Sequence, residues 1–190
     1  MPRPTQPPRT GAVVLTGGSG GRLGGTSKAG LALGGRSFLD RALAAVAGLD
    51  VVVVGDAVAG VRTVREEPPG GGPAAGLLAG LDALGPDLGS VVVLAVDMPL
   101  VTAATVARLR AAYDRAGGDG VLLVDPGGRA QYLCGVYRVA TLRAAAPPPD
   151  ERHGLPVRRL LAPLSLVELP AEGDEAHDVD EWRDLDALDG

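Results

Sequence analysis

Runs of β-branched and apolar residues that fail to alternate with polar ones set the strongest limit on what this chain can fold into. AVVLT at 12–16, DVVVVGD at 50–56, VRTVRE at 61–66, SVVVLAVD at 90–97 and GVLLVD at 120–125 recur along its first two thirds. A strand that is apolar on both sides must be covered on both faces, so these runs call for a sheet held between two layers of helices. Helical spacing fills the intervals: SFLDRALAAVAG from Ser37, PAAGLLAGLDALG from Pro73 and TAATVARLRAAYDRAG from Thr102. Thr102 is placed to cap the last of these, and Gly117 with Gly118 to end it. Strand and helix alternate to about residue 125, which predicts a single three-layer α/β domain with a mostly parallel, mixed sheet. Beyond it, QYLCGVYR and LSLVELP read as further strands, LPVRRLLAP as a short helix between them, and DVDEWRDLDAL as a loop entering a terminal helix.

At 190 residues the chain can bury one substantial core. The domain is expected to span 11–190, behind a Pro-rich stretch, 1–10, expected to be a disordered tail. The net charge is −5 and the basic residues are scattered, which argues against an extended nucleic-acid footprint and for a small partner. A single cysteine, Cys134, excludes an internal disulfide and any multi-cysteine metal site, and fits a reducing cytoplasm. No stretch reaches the roughly 20 apolar residues that span a bilayer. The expectation is a cytoplasmic protein with neither a membrane nor a nucleic-acid partner. Isoleucine and asparagine are missing and lysine occurs once among 18 basic residues, the bias of a GC-rich coding sequence. Against that bias Lys28 stands out, because arginine would serve wherever a generic positive charge is tolerated.

Lys28 closes the glycine-rich stretch LTGGSGGRLGGTSK, which follows the first expected strand directly. At the carboxyl edge of an open α/β sheet that is where ligands bind, and glycines let backbone N–H groups approach an anion closely. GxxxxGK[ST] does not fit, because Lys28 follows Ser27, and GxGxxG fails at Leu23. What remains, free N–H donors with Arg22 and Lys28, describes a cradle for a multiply charged phosphate chain. Taken alone the stretch is also compatible with an ordinary flexible turn. Asp97 ends an apolar strand and must emerge at the same edge, where an exposed strand-end aspartate is common.

The loop resembles the LAGGxSxRMGxxK signature of the nucleotidyltransferases that include the molybdenum cofactor guanylyltransferases. Leu15, Gly17, Gly18, Ser19, Arg22, Gly24 and Lys28 fall in register; Leu23 stands for Met and Thr16 for Ala. GGGPAAGLLAGL resembles the family's GPLAG segment, with Gly72, Pro73 and Gly76 matching, and DMP resembles its D-x-P. HDVDEWRDL resembles the terminal DxDTPEDL, with Trp182 in place of proline, and RAQYLCGVYR resembles a Q-P-L-C-A-L-Y strand of the guanylyl branch.

The resemblance implies a Rossmann-like nucleotidyltransferase fold and Mg²⁺-dependent transfer of GMP from GTP to the phosphate of molybdopterin, with pyrophosphate released. GTP and molybdopterin or molybdenum cofactor are the implied partners, with cofactor-delivery proteins as a further class. It assigns Lys28, Arg22 and Asp97 to catalysis. Leu15, Thr16, Gly17, Gly18, Ser19, Lys28, Asp56, Glu66, Gly72, Pro73, Gly76 and Asp97 would bind nucleotide, with Glu66 or Glu67 reading the base. Asp97 with Asp178 or Asp180 would hold Mg²⁺, a hard cation suited to carboxylate oxygen. Arg152, Arg158 and Arg159 fall near the expected acceptor phosphate, or form a solvated basic face. A cytidylyltransferase for the same cofactor, transfer to a sugar or other small phosphate, and a non-catalytic nucleotide binder are the competing readings.

Overall fold

The computed structural model describes residues 9–17 and 28–189, and in it the expected apolar runs form the strands of one central sheet. The strands are β1 (Arg9–Leu15), β2 (Ala32–Leu33), β3 (Arg36–Ser37), β4 (Asp50–Val54), β5 (Thr63–Val64), β6 (Leu88–Ala95), β7 (Gly120–Val124), β8 (Ala130–Arg138) and β9 (Leu166–Pro170). The helices are α1 (Phe38–Ala45), α2 (Pro73–Leu84), α3 (Ala103–Ala116), α4 (Val139–Ala144), α5 (Val157–Leu161) and α6 (Trp182–Asp189). Seven strands lie in the order β5-β4-β1-β6-β8-β7-β9, while β2 and β3 form a separate hairpin. Only β8 runs antiparallel to its neighbours β6 and β7; every other pairing in the sheet is parallel. The expected mostly parallel, mixed sheet is what forms.

Alternation along β1 shows why the strand is apolar on both sides. Ala12 and Val14 pack with Phe38 of α1, Leu109 of α3 and Leu185 of α6; Val13 and Leu15 pack with Leu77 and Leu81 of α2 and Leu142 of α4. Two apolar cores therefore lie on either side of one sheet, which makes the three layers. Local chemistry starts and stops the helices as expected. Ser37 accepts from Asp40 N to open α1, Thr102 and Thr105 form a capping box at the start of α3, and Gly117 closes α3 in the left-handed conformation.

Two elements lie beyond the sequence reading. The β2–β3 hairpin turns on Gly34 and Gly35, with φ of 56° and 77°, which glycine adopts freely. Helix α4 follows β8 with no turn between them. The start of the domain also moves: Arg9 and Thr10 already pair with Leu88 and Ser90, so β1 begins inside the stretch expected as a tail. Ladder hydrogen bonds and the Thr10–Ser90 hydroxyl contact at 2.9 Å hold those two residues. Residues 1–8 lie outside the described residues.

The order of the strands decides where a ligand goes. From β1 the chain crosses through α1 to β4 on one side, then through α2 to β6 on the other. This reversal puts a topological switch point between β1 and β6, the place where open α/β sheets bind ligands beyond their strand ends.

Candidate active site

Both strands that flank the switch point deliver residues singled out in the sequence. Beyond β6, Val96 N donates to Leu15 O at 3.0 Å, carrying the pairing to the end of β1 and leaving Asp97 as the first residue past it. On the β1 side, Thr16 donates to Val54 O through both its amide (3.0 Å) and its hydroxyl (2.9 Å). The Thr16 hydroxyl is thus spent on tying β1 to β4. Lys28 opens a single 3-10 turn, Lys28–Gly30, whose end leads into the hairpin.

Lys28 is the centre of the cluster. Its Nζ donates to Asp180 Oδ1 at 2.6 Å and lies 3.6 Å from Asp97 Oδ2, with the lysine side chain only 13% exposed. Residues 152 positions apart in the chain meet here because Val179 N donates to Asp97 O at 2.8 Å, which fastens the C-terminal segment to the end of β6. Asp184 Oδ2 accepts from Asp180 N at 3.0 Å and Glu181 N at 2.8 Å, setting the backbone of Asp180 as α6 begins. Burial pushes the Asp97 carboxyl above the ordinary aspartate range; Lys28 opposes the rise, and Asp180 and Asp178 add to it.

The two candidates for a second acidic ligand both act on the Asp97 carboxyl but differ in their own partners. Asp180 stands on Lys28, whereas Asp178 faces Arg129, whose Nη1 lies 3.4 Å from its Oδ2. Among the described residues no three His, Cys, Asp or Glu side chains converge as a metal cage. The chemistry of the donors still fits a hard divalent cation. Two carboxylates already share one cationic centre, and such a cation binds through one or two carboxylates while keeping water or phosphate oxygens in its remaining positions.

Other expected residues fall at varying distance from this arrangement. Gly18, Ser19, Arg22 and Gly24 lie outside the described residues. Leu15 and Gly17 flank Thr16 at the strand end, with Gly17 exposed and Leu15 buried. Glu66 accepts from Gly70 N through Oε1 at 3.0 Å, across the turn that enters α2. Asp56 is exposed and paired with Arg65. Gly72 and Pro73 form the mouth of α2. Gly76 is buried, and a Cβ there would stand 3.0 Å from Leu15 Cδ2, so its absence of side chain seats the helix on the sheet. Arg152 is held by Asp82 at 2.9 Å, while Arg158 and Arg159 line a cleft of about 600 Å³ with Tyr132 and Leu164 that shares no residue with the Lys28 cluster. Cys134 is fully buried, as a structural cysteine should be.

Three residues around the cluster were not singled out from sequence: Arg129, Asp184 and Glu175. Asp184 could have been found, since an acid at the third position of a helix is half of a capping box. Arg129 follows a Pro-Gly-Gly turn, which announces a loop and not a contact. Glu175 sits among other acids that read as solvated, yet is 8% exposed.

Comparison with known proteins places these features among relatives. The family model for the MobA-like NTP transferase domain matches residues 12–169. A protein named molybdenum cofactor guanylyltransferase from Cereibacter sphaeroides is 38% identical over 140 residues, 67% of this chain and 68% of that protein. One of the same name from Acidiphilium cryptum is 36% identical over 143 residues, 70% of this chain and 69% of that protein. Among solved structures, molybdopterin-guanine dinucleotide biosynthesis protein A from Archaeoglobus fulgidus superimposes with a TM-score of 0.74 at 21% identity, covering 94% of this chain and 96% of that one, a likeness of fold. No described helix is long and apolar enough to cross a membrane.

Proposed function

The chain belongs to the MobA-like NTP transferase family and is a nucleotidyltransferase, and from that premise we propose that it transfers GMP from GTP to the phosphate of molybdopterin, releasing pyrophosphate with Mg²⁺ as cofactor. The observation that carries this reading is the meeting of Lys28, Asp97 and Asp180 at the β1/β6 switch point. The names of the curated relatives support the choice of donor and acceptor.

The acceptor phosphate is already anionic, so no protein nucleophile is required. Its oxygen attacks the α-phosphorus, the bond from that phosphorus to the bridging oxygen breaks, and pyrophosphate departs with the electron pair. Protein groups have to hold the reactants in line and neutralise charge that moves toward the leaving group. The backbone after Leu15, from Thr16 through Gly17, Gly18 and Ser19, would cradle the triphosphate, with Arg22 and Lys28 as its cations. An ammonium has three donors; one of Lys28's goes to Asp180, which leaves others for phosphate oxygens. Asp97 and Asp180 would hold Mg²⁺, which supplies charge neutralisation on phosphate oxygens when bound. Gly72 and Pro73 would border the base and ribose, and the Glu66 carboxylate would accept from guanine N1 and N2.

Pyrophosphate release measured with each nucleoside triphosphate, with and without molybdopterin, tests the proposal. Release confined to GTP with molybdopterin and Mg²⁺ is expected. Preference for CTP would reassign the chain to cytidylyl transfer, and release with a sugar phosphate in place of molybdopterin would move the acceptor.

A further inference from the structure

Residues 171–181 run from β9 to α6 with neither helix nor strand, yet they deliver Asp178 and Asp180 to the site. Something other than a backbone ladder must place them. Glu175, the least exposed acidic residue among the described residues, is in the middle of this stretch. Its Oε2 accepts from Thr105 Oγ1 at 2.6 Å, and its Oε1 accepts from Arg108 Nη1 and from Glu172 N, both at 2.8 Å. Arg108 adds a bond to Pro170 O at 3.1 Å and an ion pair with Glu172 at 3.1 Å. Thr105 in turn receives Thr102 N at 3.2 Å in the capping box of α3. Burial alone would push the Glu175 carboxyl up, but the bonds from Thr105, the Glu172 amide and Arg108 outweigh it and hold it below the ordinary glutamate range.

The partners of Glu175 belong to the same rigid unit as Asp97. Helix α3 starts a few residues after Asp97 and buries Val106 and Leu109 in the core. From Glu175 the chain runs through buried Ala176 to buried Val179, whose amide closes on Asp97 O. We propose that Glu175 is a positioning residue for nucleotidyl transfer: by fastening 171–181 to the first turn of α3, it sets where Asp180 stands relative to Asp97 and Lys28. This rests on the functional reading above for its consequence, though not for its geometry.

Amide hydrogen exchange and magnesium titration on the full chain, wild type against Glu175→Gln, test it together. The Val179 amide is expected to exchange at least about tenfold faster in the variant, with Val13 and Val14 of β1 unchanged. The Mg²⁺ concentration for half-maximal pyrophosphate release should rise about tenfold, with a smaller change in the KM for GTP. Wild-type exchange at Val179, equal acceleration at Val13 and Val14, or an unchanged magnesium requirement would each overturn the proposal. Arg108→Gln removes one donor and leaves the carboxylate in place, so it carries the same comparison if Glu175→Gln does not fold. Absence of pyrophosphate release from the wild type would count against the functional reading, while the exchange rates would still decide whether Glu175 fastens the segment.

Discussion

Lys28 is the one lysine of an arginine-rich chain, and its surroundings supply a reason. Its ammonium lies in a half-closed space between Asp180 and Asp97, and a compact group with rotatable donors fits there while a planar guanidinium fork would displace one carboxylate. Lys28→Arg is expected to fold and to lose about 3 kcal/mol of transition-state stabilisation, roughly a hundredfold in kcat, measured as pyrophosphate release. Full activity would remove the argument for lysine. Lys28 and Asp97 were legible because each ends a motif next to an apolar strand. Asp178 and Asp180 looked equivalent, since only the tertiary pairing of Asp178 with Arg129 separates them. The partner of Asp56 was hidden for the same reason, its carboxylate being turned to Arg65. At Cys134, burial pushes the thiol far above its ordinary range. A thiol reagent should therefore leave the native protein unmodified and react at once in denaturant; rapid native labelling would contradict this burial.

At the scale of elements, the helices and strands with strong periodic patterns were readable and the short ones were not. Helix α4 has six residues and starts where β8 stops, so no Gly, Pro or Asn marks the change of period. The β2–β3 hairpin did carry a signal in Gly34-Gly35, but its strands of two residues are too short to show alternation. Helix α2 shows how closely a helix approaches this sheet. A Cβ on Gly80 would stand 2.7 Å from Val13 Cγ1 and 2.9 Å from Val54 Cγ2. Gly80→Ala gains helix propensity but overpacks the contact, so a net loss of about 1–3 kcal/mol is expected. Calorimetry should find Tm lower by roughly 2–10 °C; an unchanged or higher Tm would show that α2 can shift without cost.

Across the whole molecule, one reversal of chain direction through the sheet collects the site. Strand order could not be read from the sequence, because apolar runs say which segments are strands and not which are neighbours. Once β1 lies between β4 and β6, the ends of β1 and β6 meet, and Glu175, Val179 and Asp184 bring the far end of the chain onto them. That assembly shows in its titration, with opposite signs at two carboxylates. Glu175 is held below its ordinary range, so its contribution to stability is present above about pH 4.3 and is lost as pH falls through its lowered value. The Tm difference between wild type and Glu175→Gln should shrink over that acid window; a difference independent of pH would contradict it. Asp97 has the opposite sign. Its raised carboxyl value means that ionisation works against folding at neutral pH. Asp97→Asn therefore gives the most direct test of the transfer centre, read as Mg²⁺-dependent pyrophosphate release from GTP and molybdopterin alongside Tm. The account predicts a Tm at or above that of the wild type with release reduced at least about a hundredfold; a folded Asp97→Asn protein with near wild-type release would contradict it.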